Sequence, residues 1–402
     1  MVEESAAPDR PRLRVLVSAY ACGPGDEPEA NAGWAFATAA AVNHDVWVVT
    51  RERFRAAIEA RRAEDPGLAA HLRVVYLELP ARVLRFKRRA WDVYWYYVAW
   101  QRRLARCAGE LHRQYHFDVV HHVTFANDWM PSGASRLDGP AFVWGPVGGA
   151  SSMPVRRLAR WLGLRGTVTE LFRIVATGVP RRVWGDAAAR RASLVVAQND
   201  DVADRFRSRA PVVVEPNAAF GELPAAARQA TEPDVHVAVF AARLLAWKGG
   251  RLAVAAMAHP LLAAWRLDVY GTGYELRALR RMASRLGVAD RVRFMGHQPR
   301  DRVLAAFAAA DAMVFPSMHD QAGWVAAEAS ALGTPVVCLP LGGPPLLAAH
   351  NARPVLLDGD IAANLAVALD KTLREPGVAH ERWSFDRLPP LVDAWYRTAA
   401  AR

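Results

Sequence analysis

The chain has 402 residues, 52% of them hydrophobic and 23% charged, and its formal net charge is +11 at pH 7. This length exceeds one ordinary hydrophobic core, so we expect two domains, and the composition excludes a disordered protein. Cys22, Cys107 and Cys338 lie far apart without the spacing of metal ligands, which indicates reduced thiols and no bound metal.

Short apolar strands alternate with helical stretches along the whole chain. In the first half a helix is predicted over 33–42, and a stretch rich in Ala, Pro and Gln at 222–232 is predicted to be a linker. Strands separated by helices predict doubly wound parallel sheets, hence an α/β protein with two Rossmann-like domains. The predicted strands are 12–19, 44–50, 74–79, 119–123, 141–144, 194–197 and 212–215, then 235–241, 267–270, 292–295, 312–315, 336–339 and 355–357.

A strand, a polar loop and a helix near the C-terminus form the most informative segment. The helix opens at a glycine, so a ligand can approach bare backbone N–H groups at the positive end of the helix dipole. Asp320 in the loop and Glu328 in the helix flank this anion site, and sugar hydroxyls are the natural partners of such carboxylates. The segment therefore predicts a nucleotide-sugar pocket. Its backbone N–H groups belong to Gly323, Trp324 and Val325.

With the Gly-Thr-Pro-Val-Val run that follows at 333–337, this segment resembles the retaining GT-B glycosyltransferases of the group 1 family, also numbered family four. Their signature is two glutamates separated by seven residues. The resemblance implies that Glu328 accepts hydrogen bonds from the donor ribose and that Asp320 holds the donor sugar. Asp320 stands where the family has glutamate, and this shorter side chain leaves open which sugar is held.

Three further elements of the second half resemble the same family. Arg243 and Lys248 precede a double glycine and match a Gly-Arg…Lys-Gly element whose two cations contact the donor diphosphate. In a dry site such cations stabilise a leaving diphosphate by several kcal/mol. The other two elements are glycine loops on the nucleotide face: Gly271 and Gly273, and Gly296 with His297. For His297 a capping role competes with a role in ligand binding.

The first half resembles an exopolysaccharide-type subgroup of the family. Gly33 closes the loop after the first strand, where ligands of open α/β sheets bind. It matches a glycine whose backbone faces the diphosphate or the acceptor, although a plain tight turn is the alternative. His121 matches a strand-end histidine that contacts the donor sugar or the acceptor hydroxyl, and His122 is its rival, because neighbouring strand residues face opposite ways. The pair at 148–149 is expected to shape the acceptor side.

Basic clusters bracket an aromatic run at 82–103, and a second basic patch lies at 156–161. Two interpretations stay open: a cationic surface at an anionic membrane, or core helices whose ends carry solvated arginines. A nucleic-acid surface is disfavoured because no binding motif accompanies the charge. No run of roughly 18 apolar residues and no signal-peptide pattern is present, so we expect a cytoplasmic protein, peripheral at most on the inner face of the cell membrane.

The resemblance implies a GT-B architecture: an acceptor-binding domain over 1–220, a nucleotide-sugar-binding domain over 221–383, and a last helix within 384–402 that packs back on the first domain. It further implies a retaining, metal-independent glycosyltransferase that uses a nucleoside-diphosphate sugar as co-substrate and needs no cofactor. The acceptor is expected to be a saccharide, a lipid-linked saccharide or a small molecule. A nucleotide-sugar 2-epimerase and a non-catalytic sugar-binding relative are the alternatives.

Overall fold

The computed structural model describes residues 10–25, 27–221, 223 and 235–402. The predicted linker at 222–232 lies outside this part of the chain, apart from Leu223. Within it, seven parallel strands form a first sheet in the order β3-β2-β1-β4-β5-β6-β7. The strands are β1 (Arg14–Ala19), β2 (Asp45–Thr50), β3 (Leu72–Tyr76), β4 (Val119–Thr124), β5 (Ala141–Val147), β6 (Leu194–Ala197) and β7 (Val212–Val214).

Six parallel strands form a second sheet in the described residues, in the order β10-β9-β8-β11-β12-β13. The two sheets confirm the predicted α/β class with two Rossmann-like units. The strands are β8 (His236–Ala241), β9 (Trp265–Tyr270), β10 (Val292–Gly296), β11 (Ala312–Phe315), β12 (Val336–Cys338) and β13 (Ala352–Pro354).

The last strand corrects a prediction. Residues 355–357 were expected to form it, but β13 lies three residues earlier, paired with β12. The N–H of Val355 still donates to the Cys338 carbonyl at 2.9 Å. The next residue, Leu356, is 73% exposed, so the chain has already left the sheet there. An apolar run alone therefore misplaced this short edge strand.

Helices cover both faces of each sheet. One face of the first sheet packs against α1 and α15, and the other against α5 and the short helices α7 and α8. In the second half, α9, α10 and α14 cover one face and α11 and α12 the other. The α-helices are α1 (Pro28–Asn43), α2 (Arg55–Glu64), α3 (Pro66–His71), α4 (Ala81–Leu84), α5 (Val93–Tyr115), α6 (Val155–Pro180), α7 (Asp186–Arg191), α8 (Asp200–Phe206), α9 (Gly250–Ala256), α10 (Leu276–Arg285), α11 (Arg300–Ala309), α12 (Trp324–Ala331), α13 (Pro344–Leu347), α14 (Ile361–Thr372) and α15 (Leu388–Ala400).

The C-terminal helix α15 returns to the first sheet. Leu388, Val392 and Tyr396 are buried in the core that contains α1, and the Trp395 ring stacks on Phe36 with centroids 6.1 Å apart. Of the helices in the described ranges, none is both long and apolar enough to cross a membrane.

Helix α1 begins at Pro28, five residues before its predicted start, and this changes the place of Gly33. Proline suits a first turn, because the N–H that it lacks has no partner within the helix. Gly33 therefore lies inside α1, where a Cβ atom would stand 2.3 Å from the Ala21 carbonyl oxygen. It lets the helix pack closely on the loop after β1. This corrects the prediction that Gly33 closes a ligand-binding loop.

Candidate active site

Two loops at the carboxyl edge of the second sheet come together, one after β8 and one after β11. Gly249 has φ +79°, and a Cβ atom there would stand 2.0 Å from the Pro316 carbonyl oxygen. Only glycine allows this approach and this backbone conformation. The N–H of Met318 donates to the Trp247 carbonyl at 2.8 Å and joins the two loops.

Lys248 and Asp320, predicted from separate motifs, form an ion pair between these loops. Each side chain is only 16% exposed, so the pair is shielded from solvent. The hydroxyl of Ser317 lies 3.5 Å from the same carboxylate oxygen of Asp320. The structure thus brings a cation and an acid of the predicted site into direct contact.

Arg243 lies on the same loop as Lys248, but its side chain is exposed. Across the part of the chain that the structure describes, this side chain makes no hydrogen bond or ion pair. The guanidinium group of Arg243 is thereby left available to an anion. Phosphate oxygens accept hydrogen bonds from such a group in a bidentate manner.

The glycines after β9 have a local packing role. A Cβ atom at Gly271 would stand 2.0 Å from the Ala242 carbonyl oxygen, and one at Gly273 would stand 2.2 Å from that of Leu244. The N–H of Leu244 donates to the Thr272 carbonyl at 2.8 Å. Because Gly271 and Gly273 have no side chains, the backbone of the loop after β9 packs directly against the backbone of the loop that carries Arg243.

Gly296, the last residue of β10, and His297 after it lie in more open surroundings. Gly296 has φ +70° and open space where a Cβ atom would stand, and its carbonyl accepts a 2.7 Å hydrogen bond from the Gly271 N–H. His297 is exposed. Its side chain makes no hydrogen bond to another described residue, so the predicted capping role has no support in these contacts.

Helix α12 starts with the predicted anion-site residues. Gly323, at its N-cap, has φ +81° and ψ +51°, a left-handed conformation that favours glycine. Trp324 and Val325 follow in the first turn and are half-buried. The indole N–H of Trp324 donates to the side-chain oxygen of Asn217 at 3.0 Å, which ties the helix start to the first half of the chain.

Glu328 lies one turn into α12 and is 7% exposed. Arg300, at the start of α11, donates two hydrogen bonds to its Oε1 atom, at 2.7 and 2.9 Å. Burial raises the pKa of Glu328, and Arg300 acts in the opposite direction. The sequence did not single out Arg300 as a partner, because 28 residues separate it from Glu328 in the chain.

His121 is enclosed in a packed layer of the first sheet, which corrects its predicted contact with the donor sugar or the acceptor. Its ring nitrogens hydrogen-bond to the Tyr396 hydroxyl and the Gly145 carbonyl, both at 2.8 Å, and the side chain is fully buried. Its rival His122 is buried on the opposite face between Ser18 and Tyr97. Burial lowers the pKa of His121 to about 4 and that of His122 to about 3.

The physical reason is that helices cover both faces of this parallel sheet. Each strand side chain therefore points into a packed layer rather than into a cleft.

Helix α6 reaches the second-half loops and adds charged residues that the sequence did not single out. Glu170 is buried and pairs with Arg173 on the next turn. The His319 ring lies 3.8 Å from Glu170 and 3.3 Å from Arg173, beside the Lys248–Asp320 pair. Burial, with Arg173 nearby, lowers the pKa of His319 to about 4. The sequence signal that could have identified Glu170 was a single acid on a helix whose other charged residues are all arginines.

Gln321 connects the two halves of the chain next to this cluster. Its side-chain oxygen accepts hydrogen bonds from the Gly149 N–H at 2.7 Å and from the Ser151 hydroxyl at 3.1 Å. The side-chain amide of Asn199 donates to the Gln321 backbone carbonyl at 2.8 Å. The glycine pair at 148–149 therefore faces the loop that carries Asp320.

A buried acid, Asp128, secures the other side of Gly149. Arg181 and Arg205 approach its carboxylate at 3.0 and 3.4 Å, and Arg181 also donates to the Gly149 carbonyl at 2.6 Å. Burial raises the pKa of Asp128, against the effect of both arginines. The C-terminal end of α6 and the loop at 148–149 are thus held together.

The basic aromatic segment divides into two parts. Tyr96, Tyr97 and Trp100 are fully buried and belong to the core of the first sheet, as the core interpretation predicted. Trp91 and Tyr94 are at least half exposed. Among the described residues, no group of three or more His, Cys, Asp or Glu side chains is arranged to hold a metal ion.

The fold is that of GT-B glycosyltransferase structures. Sucrose-phosphate synthase from Thermosynechococcus elongatus has a similar fold, with a TM-score of 0.62 at 16% identity over 97% of this chain and 100% of that one. HepE from Anabaena, in complex with UDP-glucose, has a TM-score of 0.54 at 15% identity over 96% of this chain and 100% of that one. At such identities the likeness establishes the fold.

More particularly, residues 225–384 match the family described as glycosyl transferases group 1. The D-inositol 3-phosphate glycosyltransferase of Segniliparus rotundus is 34% identical over 184 residues, which cover 42% of this chain and 41% of that protein. That of Corynebacterium glutamicum is 41% identical over 132 residues, 30% of this chain and 32% of that protein. The chain thus spans less than half the length of these curated relatives.

Proposed function

We propose that the protein is a glycosyltransferase that moves a sugar from a nucleoside-diphosphate sugar to an acceptor hydroxyl, with retention of anomeric configuration and without a metal ion. The observation that carries the proposal is the shielded Lys248–Asp320 pair beside the exposed Arg243. All three residues lie within the stretch that matches the group 1 family. Two cations and an acid at one sheet edge suit a diphosphate attached to a sugar.

In the proposed reaction the acceptor oxygen bonds to the anomeric carbon while the bond from that carbon to the diphosphate oxygen breaks. The departing phosphate takes the proton of the acceptor hydroxyl on the same face, so no protein nucleophile is needed. Arg243 and Lys248 neutralise the charge that develops on the diphosphate. These two charges stabilise the diphosphate strongly, because a site that is partly shielded from water screens charges poorly.

Asp320 and Glu328 bind different parts of the donor. Asp320 pairs with Lys248 through one carboxylate oxygen and presents the other to the donor sugar. Both Arg300 N–H groups are directed to Oε1 of Glu328, so Oε2 is left to accept hydrogen bonds from the ribose. The N–H groups of Gly323, Trp324 and Val325 bind a phosphate oxygen at the start of α12.

The acceptor is proposed to enter beside the loop at 148–149, which faces the Asp320 loop. A saccharide, a lipid-linked saccharide and a small molecule all remain candidates. The curated relatives are named for D-inositol 3-phosphate, so a phosphorylated polyol belongs in the acceptor set. Polysaccharide synthesis of the exopolysaccharide type is one setting for such an activity.

The test measures nucleoside-diphosphate release from a panel of nucleotide sugars, with and without acceptors, in the presence of a chelator. Lys248→Ala should lower the rate by about 10²-fold or more, because it loses a contact to the leaving group. Lys371→Ala is the matched control, since this lysine is 59% exposed on α14 and pairs only with Glu375 among the described residues.

Equal turnover in both lysine variants would contradict the assignment. An epimerised donor without acceptor would favour the 2-epimerase instead, and nucleotide binding without turnover would favour the non-catalytic relative. Loss of activity with the chelator would contradict metal independence alone.

A further inference from the structure

The outer face of α6 is an uncovered apolar stripe. Beyond a kink at Gly163, large apolar side chains recur every three or four residues, which places them on one side of the helix. Leu164 is 85% exposed, Phe172 72% and Val175 77%. The stripe is defined as Leu164, Val168, Phe172, Val175 and Val179, all of them exposed.

The opposite face of α6 is fully engaged. Gly166 lies against Ala246, where a Cβ atom would stand 2.7 Å from the Ala246 methyl group. Glu170 is buried beside His319, and Thr177 is buried near the end of the helix. The helix therefore cannot turn its stripe inward without breaking these contacts. Exposed apolar surface of this kind marks an interaction site.

Positive charge surrounds the stripe. Arg156 and Arg165 are exposed in the first part of α6, and Arg182 follows its C-terminal end. Arg157 is exposed as well and pairs with Asp358 at 2.7 Å. Glu170, the acid within the helix, is buried on the inner face. A groove of about 920 Å³ at the N-terminal end is lined by Arg160, Arg280, Arg281 and Arg285 together with Trp161.

The basic aromatic segment exposes further aromatic rings beside arginines. The ring of Tyr94 lies 5.4 Å from that of Trp129, and the preceding residue, Asp128, pairs with Arg181 just past α6. Trp91, three residues before Tyr94, is also exposed. The guanidinium carbon of Arg89 lies 5.5 Å from the centroid of its ring. Exposed aromatic rings beside arginines suit the headgroup depth of a bilayer.

We propose that the stripe docks on an anionic phospholipid bilayer, with the part of α6 that follows Gly163 lying in the plane of the membrane interface. Its apolar side chains enter the boundary between headgroups and acyl chains, and the arginines at both ends contact lipid phosphates. This inference is independent of the proposed function. Because the inner face of α6 touches the His319 loop, docking brings the loop that carries Asp320 near the lipid surface.

Charge favours the bilayer over a second copy of the chain. Both ends of α6 are cationic, so two helices packed through their stripes would bring arginines against arginines, whether they ran parallel or antiparallel. Like charges in contact oppose such a dimer. Anionic headgroups instead complement both ends at once.

The experiment is co-sedimentation of the full chain with vesicles of phosphatidylcholine alone, or mixed equally with phosphatidylglycerol, at low and high salt. The stripe variant is Phe172→Ser, Val175→Ser and Val179→Ser. The matched control replaces three exposed valines elsewhere, Val42→Ser, Val367→Ser and Val378→Ser.

Wild type and control should bind the anionic vesicles at low salt and lose binding as salt rises. The stripe variant should partition about ten-fold or more weakly, since buried apolar area drives interfacial insertion. Circular dichroism establishes that each variant is folded. Should the stripe variant not fold, Arg156→Ser with Arg157→Ser must lower binding to the anionic vesicles, and unchanged binding overturns the proposal.

Other outcomes also overturn it. Wild type that ignores anionic vesicles, or a folded stripe variant that binds like wild type, contradicts docking. Sedimentation equilibrium tests whether the stripe instead binds a second copy of the chain. Self-association of wild type that the stripe variant lacks, without vesicle binding, would make the stripe an interface between copies.

Discussion

Replacing Arg300 by alanine should destabilise the protein in a pH-dependent manner. The carboxylate of Glu328 is almost buried, and Arg300 donates two hydrogen bonds to it. Burial already raises the pKa of Glu328 above its ordinary value of 4.5, while Arg300 lowers it. Without Arg300 the pKa must rise further, and an ionised Glu328 must stay buried without its cation.

The magnitude follows from the exposure of the two partners. Breaking a buried ion pair costs about 3–5 kcal/mol, whereas an exposed pair contributes about 1 kcal/mol or less. Glu328 is 10% exposed at its side chain and Arg300 46%, so the pair lies between these limits. We expect Arg300→Ala to lose about 1–2 kcal/mol at neutral pH, after discounting for solvent at the guanidinium.

The sign of the pH dependence follows from linkage. A carboxyl group with a raised folded-state pKa binds more protons in the folded than in the unfolded chain, so its ionisation destabilises the fold. The loss should therefore be complete above the folded-state pKa of Glu328 and should shrink as the pH falls through that raised pKa, where the folded chain takes up a proton.

Urea unfolding of wild type and Arg300→Ala at about pH 7.5 and about pH 4.5 measures this difference. Glu328→Gln is the control background, because its neutral amide needs no cation. A loss of equal size at both pH values, or one that persists undiminished in Glu328→Gln, would refute the reasoning.

Two further outcomes separate the roles of the remaining residues. By isothermal titration, Glu328→Ala should weaken binding of the free nucleoside diphosphate, whereas Asp320→Ala should spare it and impair binding of the intact donor; equal effects on both ligands would contradict the division. His121→Phe should lose about 2–3 kcal/mol in urea unfolding, because the Tyr396 hydroxyl and the Gly145 carbonyl lose their shared partner. The folded His121 variant should keep its turnover, and a selective loss of turnover would return His121 to the site.

The doubly wound fold was predictable because its signal is local. Alternating apolar strands and helices, with glycine and proline at their ends, place most strands within two residues of their observed bounds. The exceptions depend on tertiary contacts. β5 runs three residues beyond its predicted end. β3 begins two residues before its predicted start and ends three residues before its predicted end, and β13 lies wholly before its predicted range, because pairing and burial decide where a short edge strand ends.

Residues of the candidate site could be proposed from the sequence where each lies within a strand-loop-helix unit of its own. Lys248 and Asp320 were chosen from separate loops, and the structure joins them in one ion pair. Gly33 and His121 were misplaced, since a short motif does not tell whether a small or polar residue faces a cleft or a packed layer. Glu170 of α6 was missed because its contact with His319 spans the two halves of the chain.

Binding of the nucleotide-sugar donor is the central claim, and thermal unfolding with a panel of nucleoside-diphosphate sugars tests it most directly. A ligand at about 100 times its dissociation constant stabilises the folded state by about 2.7 kcal/mol. At least one member of the panel should raise the unfolding temperature of wild type and of Lys371→Ala, and should raise that of Lys248→Ala much less. A panel without any stabilising donor, or equal stabilisation of Lys248→Ala, would contradict the account.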